Sequence, residues 1–180
     1  GTVKIHPTSI SEVEIPLHET GRHIWRPFAP ASDIEVDLNK TGWKWTGHGY
    51  FDANFGTAAL EDDFSYWTWG RYPLEHGTAC FYDATRRDGT EDLAVALMFG
   101  KTGEVEAFET PPPKTRFNRS LWAVRRETRA DAGCRPKQTK MMLDAPFYCR
   151  AGVRTQINGE VSNGVHEALD LNRFRSRLIK

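Results

Sequence analysis

Asp33–Ile34–Glu35–Val36–Asp37–Leu38 alternates polar and apolar residues, and after Gly42 the alternation resumes in Trp43–Lys44–Trp45–Thr46–Gly47–His48–Gly49–Tyr50–Phe51–Asp52. A period of two marks half-buried strands, because successive side chains point to opposite faces. Read as one strand, the second stretch puts Trp43, Trp45 and Phe51 on one face and His48, Tyr50 and Asp52 on the other. Tyr66–Trp67–Thr68–Trp69 reads as a third aromatic strand closed by a turn at Pro73. Hairpin signals follow: Thr78–Ala84 leads into Arg87–Asp88–Gly89–Thr90, and Asp92–Phe99 into Gly100–Lys101–Thr102–Gly103. Glu104–Phe108 continues, Pro111–Pro113 must be a loop, and further strands are expected at Leu121–Thr128, Lys137–Leu143, Tyr148–Ile157 and Val161–Leu169. Asn158–Gly159 joins the last two. Only the basic stretch Asn172–Lys180 looks helical.

Nine or ten short strands with regular turns predict an all-β fold, an antiparallel lipocalin-like β-barrel with a short C-terminal helix. Gly47 and Gly49 are expected at barrel bends. A barrel of about eight strands can enclose one small apolar ligand. The chain of 180 residues is expected to form a single barrel domain, 1–180.

Composition narrows the function classes. The 24 basic and 24 acidic side chains cancel, which argues against nucleic acid as a partner, since phosphate binding needs a basic excess. No stretch approaches the roughly 20 apolar residues of a membrane helix. Three widely spaced cysteines, Cys80, Cys134 and Cys149, fit a reducing cytoplasm better than a disulfide framework or a zinc site. Gly1–Thr2–Val3–Lys4 lacks the apolar core of a signal peptide, and the leading Gly suggests a piece of something longer. Phosphate-loop, dinucleotide, metal-helix and nucleophile-elbow motifs are absent, and no metal site is expected.

Two short pairs carry the chemistry. His23–Ile24–Trp25 and Tyr50–Phe51–Asp52 each place two functional side chains at i and i+2, on one side of a strand. If both strands line one cavity, a carboxyl, an imidazole, a phenol and an indole converge; the plainer alternative is packing with satisfied hydrogen bonds. Glu61–Asp62–Asp63 reads as a solvated turn, and Trp67–Thr68–Trp69–Gly70–Arg71 as either a stacking platform or core with Arg71 as an anchor.

The stretch Gly47–Gly56, with Leu60–Glu61 and Trp67–Arg71, resembles the carotenoid 1,2-hydratases, also called hydroxyneurosporene synthases. His23–Pro30, Leu143–Arg150 and Val165–Arg175 are similar to the family's pattern in matching order. The resemblance implies a cofactor-free hydro-lyase of carotenoid biosynthesis that adds water across the terminal 1,2 double bond of an acyclic carotene, such as neurosporene or lycopene. It implies that the chain is the C-terminal part of a longer two-barrel enzyme. It also carries the family's functional His-x-Trp and Tyr-x-Asp pairs onto His23, Trp25, Tyr50 and Asp52.

Hydration of an unactivated alkene is limited by protonation to a tertiary cation. That assigns Asp52 as acid, Trp25 and Tyr50 as cation stabilisers through their ring quadrupoles, and His23 as the base that activates water. Trp67, Trp69, Phe51 and His48 are expected to bind the substrate. A lipid-borne substrate predicts a cytoplasmic protein in peripheral contact with the inner face of the cytoplasmic or photosynthetic membrane, through an apolar rim at the cavity mouth. Arg125, Arg126, Arg173, Arg175, Arg177 and Lys180 read as a solvated basic face. Two alternatives stand beside this reading: a non-catalytic binder of apolar isoprenoids, and a terpenoid cyclase or isomerase on the same architecture.

Overall fold

Strand β3 (His23–Leu38) is the spine of one sheet, with β1 (Thr2–Pro7) and the two-residue β2 (Ile15–Pro16) along one edge and β4 (Trp43–Gly56) along the other, all antiparallel. The computed structural model describes residues 1–176. A one-turn helix, α1 (Leu60–Asp63), leads into a seven-stranded antiparallel sheet made from β5 (Phe64–Leu74), β6 (Gly77–Arg86), β7 (Leu93–Gly100), β8 (Val105–Ala107), β11 (Lys137–Asp144), β12 (Tyr148–Ile157) and β13 (Glu160–Asp170). Its order is β11-β12-β13-β5-β6-β7-β8. A separate ribbon pairs β9 (Lys114–Phe117) with β10 (Arg126–Arg129), and α2 (Leu171–Arg175) closes the described chain.

The all-β antiparallel class and the short C-terminal helix match the expectation, the remainder of Asn172–Lys180 lying outside the described residues. The barrel is only partly realised, because the two sheets pack face to face without closing into one hydrogen-bonded cylinder. The seven-stranded sheet is buried on both faces. Cys80, Tyr82 and Ala84 of β6 join Trp25, Phe64 and Trp69 in the core between the sheets, while Ala79 and Phe81 join Tyr72 and Val153 on the far face. The β9–β10 ribbon covers that far face: Arg129 forks onto Asp83 through Nε (3.1 Å) and Nη2 (2.6 Å), and the Tyr72 and Thr128 hydroxyls meet at 2.8 Å.

Several expected boundaries move. Leu121–Thr128 is not one strand: Leu121 and Trp122 lie in an exposed turn and only β10 pairs, with β9, which the alternation did not reveal. Strand β5 runs through Pro73, and the turn follows at Glu75–His76. The loop at Asp88–Gly89 spans 87–92 rather than two residues. Asn158–Gly159 does form the tight β12–β13 turn; both have positive φ (52° and 81°), as a type I′ turn requires. Among the basic residues, Arg126 is buried rather than solvated. Its guanidinium donates to Asn118 O, Arg119 O and Gln138 Oε1, and sits 4.7 Å from the centroid of the Phe117 ring. Arg173 donates to the carbonyls of Trp122 and Pro146, and Arg177 and Lys180 fall outside the described residues.

Candidate active site

Pro27 and Pro30 interrupt the amide ladder of β3, and the β3–β4 register slips there twice, between Arg26 and Ala29 and between Ala29 and Ser32. Each slip sets two β3 residues against a single β4 residue. Those β4 residues are Asp52 and Tyr50. Bulges bend and twist a strand and re-aim the side chains opposite them. The bend sits here rather than at Gly47. Gly49 instead allows close approach, since a Cβ there would lie 3.3 Å from that of Ser32.

Tyr50 and Asp52 therefore face the seven-stranded sheet. Asp52 Oδ2 accepts two hydrogen bonds, from Trp25 Nε1 at 2.8 Å and from the Tyr50 hydroxyl at 2.8 Å. Among the described residues its Oδ1 accepts none. Burial, and then the nearby Cys80 and Asp52, push the Tyr50 phenol well above its ordinary range, so it stays a donor. The Tyr50 ring is held between the Trp69 ring (5.0 Å between centroids) and the Arg71 guanidinium (5.5 Å). Arg71 anchors β4 by donating to Gly49 O at 2.7 Å, and burial lowers its pKa. Trp25 is fully buried, 5.6 Å from the Tyr82 ring.

Between β4 and the large sheet lies a cavity of about 460 Å³. Tyr50, Phe51 and Asp52 form one wall. The opposite wall is a single cross-strand row: Tyr82 pairs with Trp69, Trp69 with Glu167, and Glu167 with Arg150, with Trp67 beside them. Glu167 is held by Arg150 at 3.3 Å. Burial pushes its carboxyl above the usual range, opposed by Arg150 and a hydrogen bond from Tyr148 and reinforced by the charge of Asp52. The indole N–H groups of Trp67 and Trp69 are buried without a hydrogen-bond partner.

Of the residues singled out in the sequence, Asp52, Tyr50, Phe51, Trp67 and Trp69 line this cavity, and Trp25 holds Asp52 from behind. His23 does not join them. Its Nε2 lies 2.6 Å from Asp63 Oδ2, its ring packs 5.4 Å from Phe64, and it borders a smaller hollow of about 160 Å³ that shares only Asn54 and Leu60 with the first. The cause is Asp63, which is not a solvated turn residue: α1 turns it inward, and His23 and Arg22 both bind it. His48 is exposed and faces a different hollow with Ser32 and Arg71. Sequence reasoning missed Glu167, Arg150 and Tyr82, whose common row exists only once β12, β13, β5 and β6 are in register. Among the described residues no group of three or more His, Cys, Asp or Glu side chains is arranged to hold a metal. No helix among them is long and apolar enough to cross a membrane.

Comparison with known proteins agrees with the resemblance in the sequence. The family model described as carotenoid hydratase CrtC matches residues 1–180. The acyclic carotenoid 1,2-hydratase of Cereibacter sphaeroides is 58% identical over 179 residues, covering 99% of this chain, and that of Rhodobacter capsulatus 55% identical over 180 residues, covering all of it. The chain spans 63% of the length of each. A crystal structure of an AttH protein from Nitrosomonas europaea superposes with a TM-score of 0.65 over 94% of this chain and 60% of its own, at 14% identity, a likeness of fold alone.

Proposed function

The chain belongs to the carotenoid hydratase family, and from that premise we propose that the polypeptide carrying it adds water across the terminal 1,2 double bond of an acyclic carotene. The observation that carries the reading is the carboxyl of Asp52, fixed by two donors on Oδ2 at the wall of an aromatic cavity. The cavity suits one end of a long polyene rather than the whole molecule, which favours attack at a terminal bond.

In this reading Asp52 donates its proton from Oδ1 to C2, and the positive charge develops on C1, which carries two methyl groups. Trp25 and Tyr50 keep the carboxyl in place. Trp25 lies outside the cavity lining, so Trp67, Trp69 and Tyr82, which line it with Tyr50, are the rings placed to stabilise the cation, by about 2 kcal/mol or more in a desolvated site. His23 is proposed as a brace, not the base that activates water, because Asp63 engages its Nε2. Water is the second substrate. No step requires a cofactor.

Contact with a membrane is proposed through the exposed Phe51 and Phe55 of β4, the former at the cavity wall. The reading is tested by incubating the full natural polypeptide with lycopene in ¹⁸O-labelled water. A 1-hydroxy product carrying one labelled oxygen is expected, and carotene bound but unchanged would overturn the reading.

A further inference from the structure

Two carboxyls face one cavity from different sheets. Asp52 stands on the β4 wall, and Glu167 stands on the β13 wall with Trp69 on one side of it and Arg150 on the other. We infer that Glu167 orients the attacking water and takes its proton. The inference rests on the reading of Asp52 as the acid.

Three observations carry it. Glu167 lines the cavity that Asp52 lines, whereas His23 is spent on Asp63. Arg150, 3.3 Å away, supplies the positive charge that lets a half-buried carboxyl be ionised and hence accept a proton. Arg150 lines the cavity as well, so a water beside Glu167 meets a carboxylate acceptor and a guanidinium donor, and buried waters need at least two polar partners. Burial also raises the affinity of Glu167 for a proton above that of a solvated carboxylate.

The step balances without any added reagent. The Asp52 O–H bond breaks and a C2–H bond forms, using the π electrons and leaving C1 cationic. The water oxygen bonds to C1, one of its O–H bonds breaks, and that proton passes to Glu167. Glu167 ends as the acid and Asp52 as the carboxylate, and solvent exchange through the open cavity resets both. One water is consumed.

The test uses the full natural polypeptide with lycopene in D₂O, following hydration and deuterium at C2 of recovered carotene together. In wild type hydration occurs, and any cation that returns to alkene leaves deuterium at C2. Glu167→Gln preserves shape and removes the base. Hydration is expected to fall about 100-fold or more, the scale of one general acid–base group, while C2 deuteration persists, since Asp52 still protonates the alkene. Glu167→Asp keeps the charge and shortens the reach, and should show the same split at smaller size, which decides the matter if the Gln variant does not fold. Hydration retained within a few-fold of wild type in the Gln variant would overturn the inference. So would equal loss of hydration and deuteration in a folded variant, which would make Glu167 structural or the acid itself. A wild-type protein showing neither reaction would instead overturn the hydratase reading.

Discussion

Trp25 and Asp52, 27 residues apart, meet at 2.8 Å through the indole Nε1 and carboxyl Oδ2, which ties the His-x-Trp strand to the Tyr-x-Asp strand. Tyr50 reaches the same oxygen from two residues away on Asp52's own strand. One oxygen of Asp52 is thus held from two directions and the other is left to the cavity.

Replacing Asp52 by Asn should abolish turnover, a loss of about 100- to 10,000-fold for one general acid. An amide oxygen can still accept from Trp25 and Tyr50, so carotene binding and melting temperature should stay near wild type. Turnover beside a thermal melt checks this. A folded variant with near-normal turnover would sink the acid assignment.

Tyr50→Phe keeps the ring between Trp69 and Arg71 and deletes only the donor to Asp52. A hydrogen bond to a charged group contributes about 1.5–3 kcal/mol, so kcat should fall roughly 10- to 100-fold with KM little changed. Trp25→Phe should lower kcat similarly, with some added loss of stability because the indole is fully buried. A rise in KM at constant kcat would argue for substrate contact instead of positioning.

His23→Gln and Asp63→Asn should behave alike. Both weaken the buried contact between α1 and β3; Arg22 still binds Asp63 when His23 is replaced, so the loss is that of one hydrogen bond to a charged group, about 1.5–3 kcal/mol. Melting temperature and kcat should fall together in both variants. If His23→Gln lost turnover at unchanged melting temperature while Asp63→Asn did not, His23 would be restored as a chemical participant.

His166 makes stability depend on pH. Its Nε2 lies 2.8 Å from Glu127 O, its Nδ1 has no partner, and burial, only partly opposed by that bond, lowers its pKa to about 4, with Arg126 adding to the shift. A ring that stays neutral when folded takes up its proton only on unfolding. The contribution is therefore fully present above the unfolded value of about 6.5 and lost as pH falls toward 4. The loss amounts to about 3 kcal/mol. Denaturant melts between pH 4 and 7 should show it, and His166→Phe should flatten that slope; an unchanged slope would contradict the assignment.

Phe51→Ser with Phe55→Ser should weaken liposome binding of the full polypeptide while leaving the fold intact, because both side chains are half exposed. Equal co-sedimentation of variant and wild type would remove β4 as the contact face.

Alternation along Asp33–Asp52 identified strands, because side-chain period is a local property of the backbone, and the hairpin turns that follow it extended the reading to an antiparallel all-β chain. The i, i+2 spacing likewise put Tyr50 and Asp52 on one face before any pairing was known. The same spacing singled out His23 with Trp25, and family resemblance joined the two pairs. What required the tertiary structure was every relation set by register. Pro27 and Pro30 could be read as ladder breaks, yet only the pairing of β3 with β4 shows that their bulges lie opposite Asp52 and Tyr50. His23 and Trp25 share a strand face, but they part at their tips, because α1 brings Asp63 to one and β4 brings Asp52 to the other. The row Tyr82–Trp69–Glu167–Arg150 comes from four strands far apart in the chain. Hydrogen-bond register between distant strands is decided by packing of the whole sheet, so no local pattern could have announced Glu167.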